Sequence, residues 1–60
     1  MGRKEELEDE ARQAGYADGF AGKPQFSSLE EDVARSPYIR KAYLEEYEIG
    51  NAERERLVRN

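Results

Sequence analysis

The sequence predicts an all-α fold, an antiparallel two-helix hairpin with a short additional helix in the connector. Three observations carry that expectation. Gly15, Gly19 and Gly22 fall at i, i+4 and i+7, with Ala11 one turn earlier, so a helix there has a stripe almost free of side chains. Ile39, Tyr43, Tyr47 and Gly50 recur at three- and four-residue steps and give a later segment an apolar, largely aromatic face. Between them, Ser28-Leu-Glu-Glu31 and Ser36-Pro37 both read as helix starts.

The first helix is expected over about 4–22. Its opening turns hold strong helix formers, but Leu7 is their one large apolar residue, and Glu5, Glu6, Glu8, Asp9 and Glu10 suit the positive end of the helix dipole. Each interior glycine costs about 1 kcal/mol of helix stability relative to alanine, so three glycines call for a tertiary partner. Tyr16 and Phe20, also four apart, are placed to clamp that partner along one edge. Lys23-Pro24 ends the element.

The segment 23–36 is read as a connector containing a short helix over 28–35, with Ser28 and Glu31 as its capping box and Phe26 and Leu29 covering the main core. The longest helix is expected over about 37–57, with Ser36 as N-cap and Pro37 at the first helical position. Tyr43 and Tyr47 are expected to fill the space left by Gly15 and Gly19, while Tyr38 lies off that face and stays comparatively exposed. Gly50-Asn51 is a place for this helix to kink or fray. Residues 1–60 form one small helical domain, with 1–6 and 53–60 expected to fray at its ends.

Composition removes several classes of function. Sixty residues bury little surface, and a deep catalytic cleft is not expected. The chain has no cysteine and no histidine, hence no disulfide, thiolate nucleophile or imidazole ligand. It has no apolar run long enough for a membrane span, and its start lacks the apolar stretch of a secretion signal, so a cytoplasmic, non-membrane protein is expected. The net charge of −4 disfavours indiscriminate binding to nucleic acid. That charge is uneven: residues 1–32 hold nine acids and four bases, and residues 33–60 hold five acids and six bases.

The run Gly15-Tyr16-x-x-Gly19-x-x-Gly22-Lys23, followed by Pro37-Tyr38 and then Tyr43-Leu44-x-x-Tyr47, resembles the ribosome modulation factor family of small bacterial proteins. The resemblance covers roughly residues 11–50. It implies two helices packed antiparallel across a connector, and association with the small ribosomal subunit that promotes inactive ribosome dimers in slow growth. The chain departs from the family pattern in three respects: a connector several residues longer, tyrosine at 43 and 47 where tryptophan is usual, and an acidic rather than strongly basic balance.

Among candidate sites, Lys23, Arg35, Arg40 and Lys41 with Tyr38 are the residues best suited to an RNA-facing or partner-facing patch. There a ring can stack on a base while cations hold phosphates. The packing residues are Gly15, Tyr16, Gly19, Phe20, Gly22, Ile39, Tyr43, Tyr47 and Gly50. No catalytic residue, metal ligand or cofactor site is expected. Ser27, Ser28 and Ser36 have no histidine to activate them and read as caps and turns, and the early carboxylates read as hydrated. Gly22-Lys23 lacks the remaining residues of a phosphate-binding loop. The expected partner is the ribosome or its rRNA, with a homodimer as a further possibility. The competing reading is an acidic inhibitor of phage or mobile-element type, presenting carboxylates at 5–10, 30–32 and 45–48 to a basic, nucleic-acid-binding protein.

Overall fold

A computed structural model describes residues 3–59, with the side chain of Lys4 excepted. The chain is all-α: α1 spans Arg3–Ala21, α2 spans Glu31–Ala34 and α3 spans Pro37–Arg59. The expected long pair and the short helix in its connector are present. Of the ends expected to fray, residues 3–6 and 53–59 are helical, and positions 1, 2 and 60 lie outside the described residues.

The direction of the pair differs from the hairpin expectation, because the close approaches along it climb together in both helices. A side chain built on Gly15 would meet the Tyr43 backbone, one on Gly19 the Tyr47 and Asn51 backbone, and one on Gly22 the Arg54 side chain. Arg12 reaches Glu45 at 3.4 Å. In an antiparallel pair the partners of successive α1 residues would descend in number; here they rise, so α1 and α3 run parallel. The connector makes this possible. Nineteen residues of α1 rise roughly 28 Å at 1.5 Å each. The fifteen residues 22–36 can span up to about 50 Å when extended. They return along the pair and leave α3 to start beside the beginning of α1.

The glycines do more than leave room for rings. A Cβ at Gly15 would lie 2.2 Å from the Tyr43 carbonyl oxygen, and one at Gly19 would lie 2.2 Å from that of Tyr47. From the other side, a Cβ at Gly50 would lie 2.4 Å from the Tyr16 carbonyl oxygen. Backbone therefore meets backbone, and the tyrosine rings are directed elsewhere, which corrects the large-against-small expectation. Gly50 is buried inside a continuous α3 and causes no break there. Gly22 leaves the stripe to end α1: its φ is +74°, its N–H donates to the Gly19 carbonyl and the Lys23 N–H to the Asp18 carbonyl. This 5→2 and 6→1 pair is a Schellman cap, and glycine takes its left-handed position without a Cβ penalty.

Ala11, Ile39, Ala42 and Tyr43 form the buried core, flanked by Leu7, Ala14, Leu44 and Tyr47 from the long helices and by Phe26, Leu29 and Val33 from the connector. Phe26 and Leu29 thus cover the seam, as expected. Tyr16 and Phe20 do not clamp the pair; they are 38% and 40% exposed and stack on each other with centroids 6.1 Å apart. At the start of α3 the Ser36 carbonyl accepts from the Arg40 N–H at 2.9 Å, which places Ser36 at the N-cap position before Pro37.

Candidate binding surface

The site is built on a polar network beneath it. Asp18 lies on the same face of α1 as Ala11 and Gly15, and is buried, with 1% of its surface exposed. A buried carboxylate needs hydrogen-bond donors. The connector and α3 supply three: the Ser28 N–H at 2.9 Å, the Ser28 hydroxyl at 2.5 Å and the Tyr43 hydroxyl at 2.5 Å. The Tyr43 oxygen in turn accepts from the Phe26 N–H at 2.7 Å. One further bond ties the connector down, from the Tyr47 hydroxyl to the Lys23 carbonyl at 2.5 Å.

Ser28 therefore caps no helix. The short helix begins later than expected, at Glu31, after a Glu30 cap residue that makes no side-chain cap bond. The capping-box pattern is present, but the Ser28 N–H, which a capping box gives to the Glu31 side chain, goes with the Ser28 hydroxyl to the Asp18 carboxylate.

Phe26 has a φ of +64°, in the left-handed region that bulky residues seldom enter. Its N–H bond to Tyr43 holds it there, and so does its ring, which stacks on Tyr43 with centroids 4.5 Å apart. Tyr47 continues the stack at 5.8 Å from Tyr43, and the Arg40 guanidinium lies 5.6 Å from the Phe26 centroid on a cation–π contact. The order Arg40, Phe26, Tyr43, Tyr47 is a layered column that connects the surface to the buried carboxylate.

Arg40 also joins two neighbouring grooves. One is lined by Phe26, Leu29, Glu31, Ala34, Arg35 and Arg40. The other has Arg35, Pro37, Arg40 and Lys41 together with Leu44, Glu45 and Glu48. Three of the expected patch residues, Arg35, Arg40 and Lys41, are thereby brought together at the junction of α2 and α3. Tyr38 is 61% exposed and sits three residues before Lys41 on the same helix. Lys23 is not with them: it follows the cap of α1, where its carbonyl meets Tyr47 and its charge acts on Asp18.

The acids are likewise dispersed. Glu45, exposed, and Glu46, half-buried, lie 3.4 Å and 4.0 Å from Arg12, surface pairs of small energetic weight. Glu10 and Glu30 border a groove with Leu7, Leu29 and Val33. Among the described residues, no three Asp or Glu side chains gather as a metal site. Also among them, no helix is long and apolar enough to cross a membrane.

Burial alone would raise the Asp18 pKa. The Ser28 hydroxyl, the Tyr43 hydroxyl, the Ser28 N–H and the charge of Lys23 outweigh it, and the carboxyl lies below its ordinary 3.8. Tyr43 is raised well above the ordinary 10.0, first by burial and then by donating to Asp18, against the opposing pull of the Phe26 N–H. A lowered acid stabilises the fold fully above 3.8, and that contribution is lost as pH falls through the native value. A raised phenol stabilises it below 10.0, and that contribution is lost as pH climbs beyond. Urea titrations of the wild type and Asp18→Asn across pH 2–7 should therefore show a steeper acid loss in the wild type. Parallel curves would rule out Asp18 as the acid-sensitive group.

The network was missed at the level of sequence, where Asp18 stood between alanine and glycine as an unremarked acid. The signal was its spacing, seven residues after Ala11 and three after Gly15, which puts a carboxylate on the packing stripe itself. No family model, no curated protein and no solved structure matches the chain.

Proposed function

We propose that this chain is a noncatalytic cytoplasmic regulator that binds the small ribosomal subunit through the α2–α3 junction. In this reading Arg35, Arg40 and Lys41 contact rRNA phosphates and Tyr38 offers a ring to an unpaired base. The observation that carries it is the convergence of those three cations on adjoining grooves, two of them far from Arg40 in neither sequence nor space. The sequence resemblance supplies the choice of the ribosome as target. Lys23 has no part in the contact.

The acidic balance bears on strength. Phosphate binding scales with the number of phosphates neutralised, and Glu31, Glu45 and Glu48 border the same grooves, so binding is expected to be modest and strongly salt-dependent. Those acids favour the second reading, in which the same surface presents carboxylates to a basic protein.

Co-sedimentation with 30S and 70S particles separates the two. Under the ribosomal reading, binding weakens as salt rises, and Arg40→Glu with Lys41→Glu weakens it by a further tenfold or more. Glu45→Gln with Glu48→Gln leaves it unchanged or stronger. Absence of ribosome binding, together with capture of a basic protein that is lost in Glu45→Gln with Glu48→Gln, would replace this reading with the inhibitor.

A further inference from the structure

We propose that copies of this chain associate head to tail, the end of α3 in one molecule seating in an apolar pocket at the opposite end of the next. This inference is independent of the ribosomal reading and uses different residues. It begins from the parallel register. Gly22, just past the end of α1, lies against Arg54, so residues 55–59 of α3 project beyond α1 by more than a turn. On that projection Leu57 is 56% exposed and Val58 75%. Arg54, Arg56 and Arg59 outnumber Glu53 and Glu55 in this stretch, and Arg56 is paired within the helix to Glu53 at 2.7 Å.

At the other end of the molecule, the starts of α1 and α3 enclose a pocket of about 410 Å³ with α2. Leu7, Val33 and Ile39 give it apolar walls, Ser36 adds one small polar residue, and Asp32 and Arg3 complete the lining. The surrounding chain is acidic on balance: Glu5, Glu6, Glu8, Asp9 and Glu10 against Arg3 and Lys4 in the early sequence of α1, and Glu30, Glu31 and Asp32 against Arg35 on the connector side. Arg35, Arg40 and Lys41 line separate grooves with Leu29, Ala34 and Leu44 and take no part in this pocket. One end of the molecule thus offers an exposed apolar pair in a stretch of small positive balance, and the opposite end an apolar pocket in stretches of acidic balance.

Complementarity of both kinds identifies the occupant as a second copy. Burying Leu57 and Val58 in the pocket removes apolar surface from water, while Arg59 approaches Asp32. The contact is heterologous, since the two surfaces differ, and a pair keeps one unused surface of each kind, so further copies can add. Its small area makes it a weak association, evident only at high protein concentration.

Sedimentation equilibrium over a wide concentration range tests this directly. The wild type should show a weight-average mass that rises with concentration, less so at high salt. Leu57→Lys should hold it at the monomer. Asp32→Arg alone and Arg59→Asp alone should each do the same, because each sets like charges against one another. An equimolar mixture of Asp32→Arg and Arg59→Asp should recover association, with the two variants alternating, because every contact between unlike variants sets opposite charges against one another. All three positions are exposed, and unchanged circular dichroism serves as the control for folding. A wild type that stays monomeric throughout, association indifferent to Asp32→Arg, or a mixture that recovers nothing would overturn the proposal.

Discussion

Gly19→Ala is expected to destabilise the domain severely. In an ordinary exposed helix this replacement stabilises by about 1 kcal/mol, because alanine is the better helix former. Here the new Cβ would lie 2.2 Å from the Tyr47 carbonyl oxygen and 3.0 Å from the Asn51 nitrogen, both of them backbone atoms of α3. No rotamer change relieves such a clash. The helices must separate, and with them the thin core of Ala11, Ile39, Ala42 and Tyr43 opens. Overpacking of this kind costs roughly 1–3 kcal/mol or more. For sixty residues the total stability is only about 3–9 kcal/mol. The sign of the effect makes the test sharp. Thermal melting followed by circular dichroism should show a midpoint lowered by tens of degrees or a broad, non-cooperative loss of helix. A midpoint equal to or above that of the wild type would show that α1 and α3 do not meet at Gly19.

Asp18→Ala is expected to be nearly as damaging, through a different cause. The substitution leaves the Ser28 N–H, the Ser28 hydroxyl and the Tyr43 hydroxyl without their acceptor. Hydrogen bonds to a charged group are worth about 1.5–3 kcal/mol each, although water reaching Ser28 would recover part of that loss. A net destabilisation of about 3 kcal/mol follows, with the connector released from the seam. Tyr43→Phe retains the ring stack on Phe26 but removes one donor to Asp18 and leaves the Phe26 N–H without its acceptor, so its cost should be about 2–3 kcal/mol, close to that of Asp18→Ala. Urea unfolding measures both. Equal midpoints for wild type and Asp18→Ala would remove the network from any account of how this fold is held.

The helical class, the two long elements and the close packing of Gly15, Gly19 and Gly50 were legible because periodicity and small residues speak about local structure and about which face is covered. Direction was not legible. A stripe of glycines and a stripe of apolar residues match equally well whether the helices run the same way or oppositely, and neither period carries an arrow. What decides the arrow is a connector long enough to return along the pair and anchored partway by Ser28 on Asp18. That anchor joins residues ten apart through a side-chain contact, which no spacing rule within one helix registers. The same limit explains the candidate surface. Arg35, Arg40 and Lys41 are near one another in sequence and remain so in the fold, whereas Lys23 is carried to the far end with the last turn of α1.

The parallel register also bears on how the chain folds. In a helical hairpin, pairing starts at the turn and zips outward, each new contact closing a loop only slightly longer than the last. Here Gly15 and Tyr43 are 28 residues apart, Gly22 and Arg54 are 32, and Arg12 and Glu45 are 33. Every contact between the long helices closes a loop of nearly the same size, so no short loop exists from which pairing can begin, and the whole closure entropy is met at once. Ser28 with Asp18 and Phe26 with Tyr43, separated by 10 and 17 residues, are the shorter links on the way. For a chain this small and this helical, folding should be slow compared with an antiparallel bundle of equal length, and its rate should respond to Asp18 and Ser28 as well as to the helices themselves.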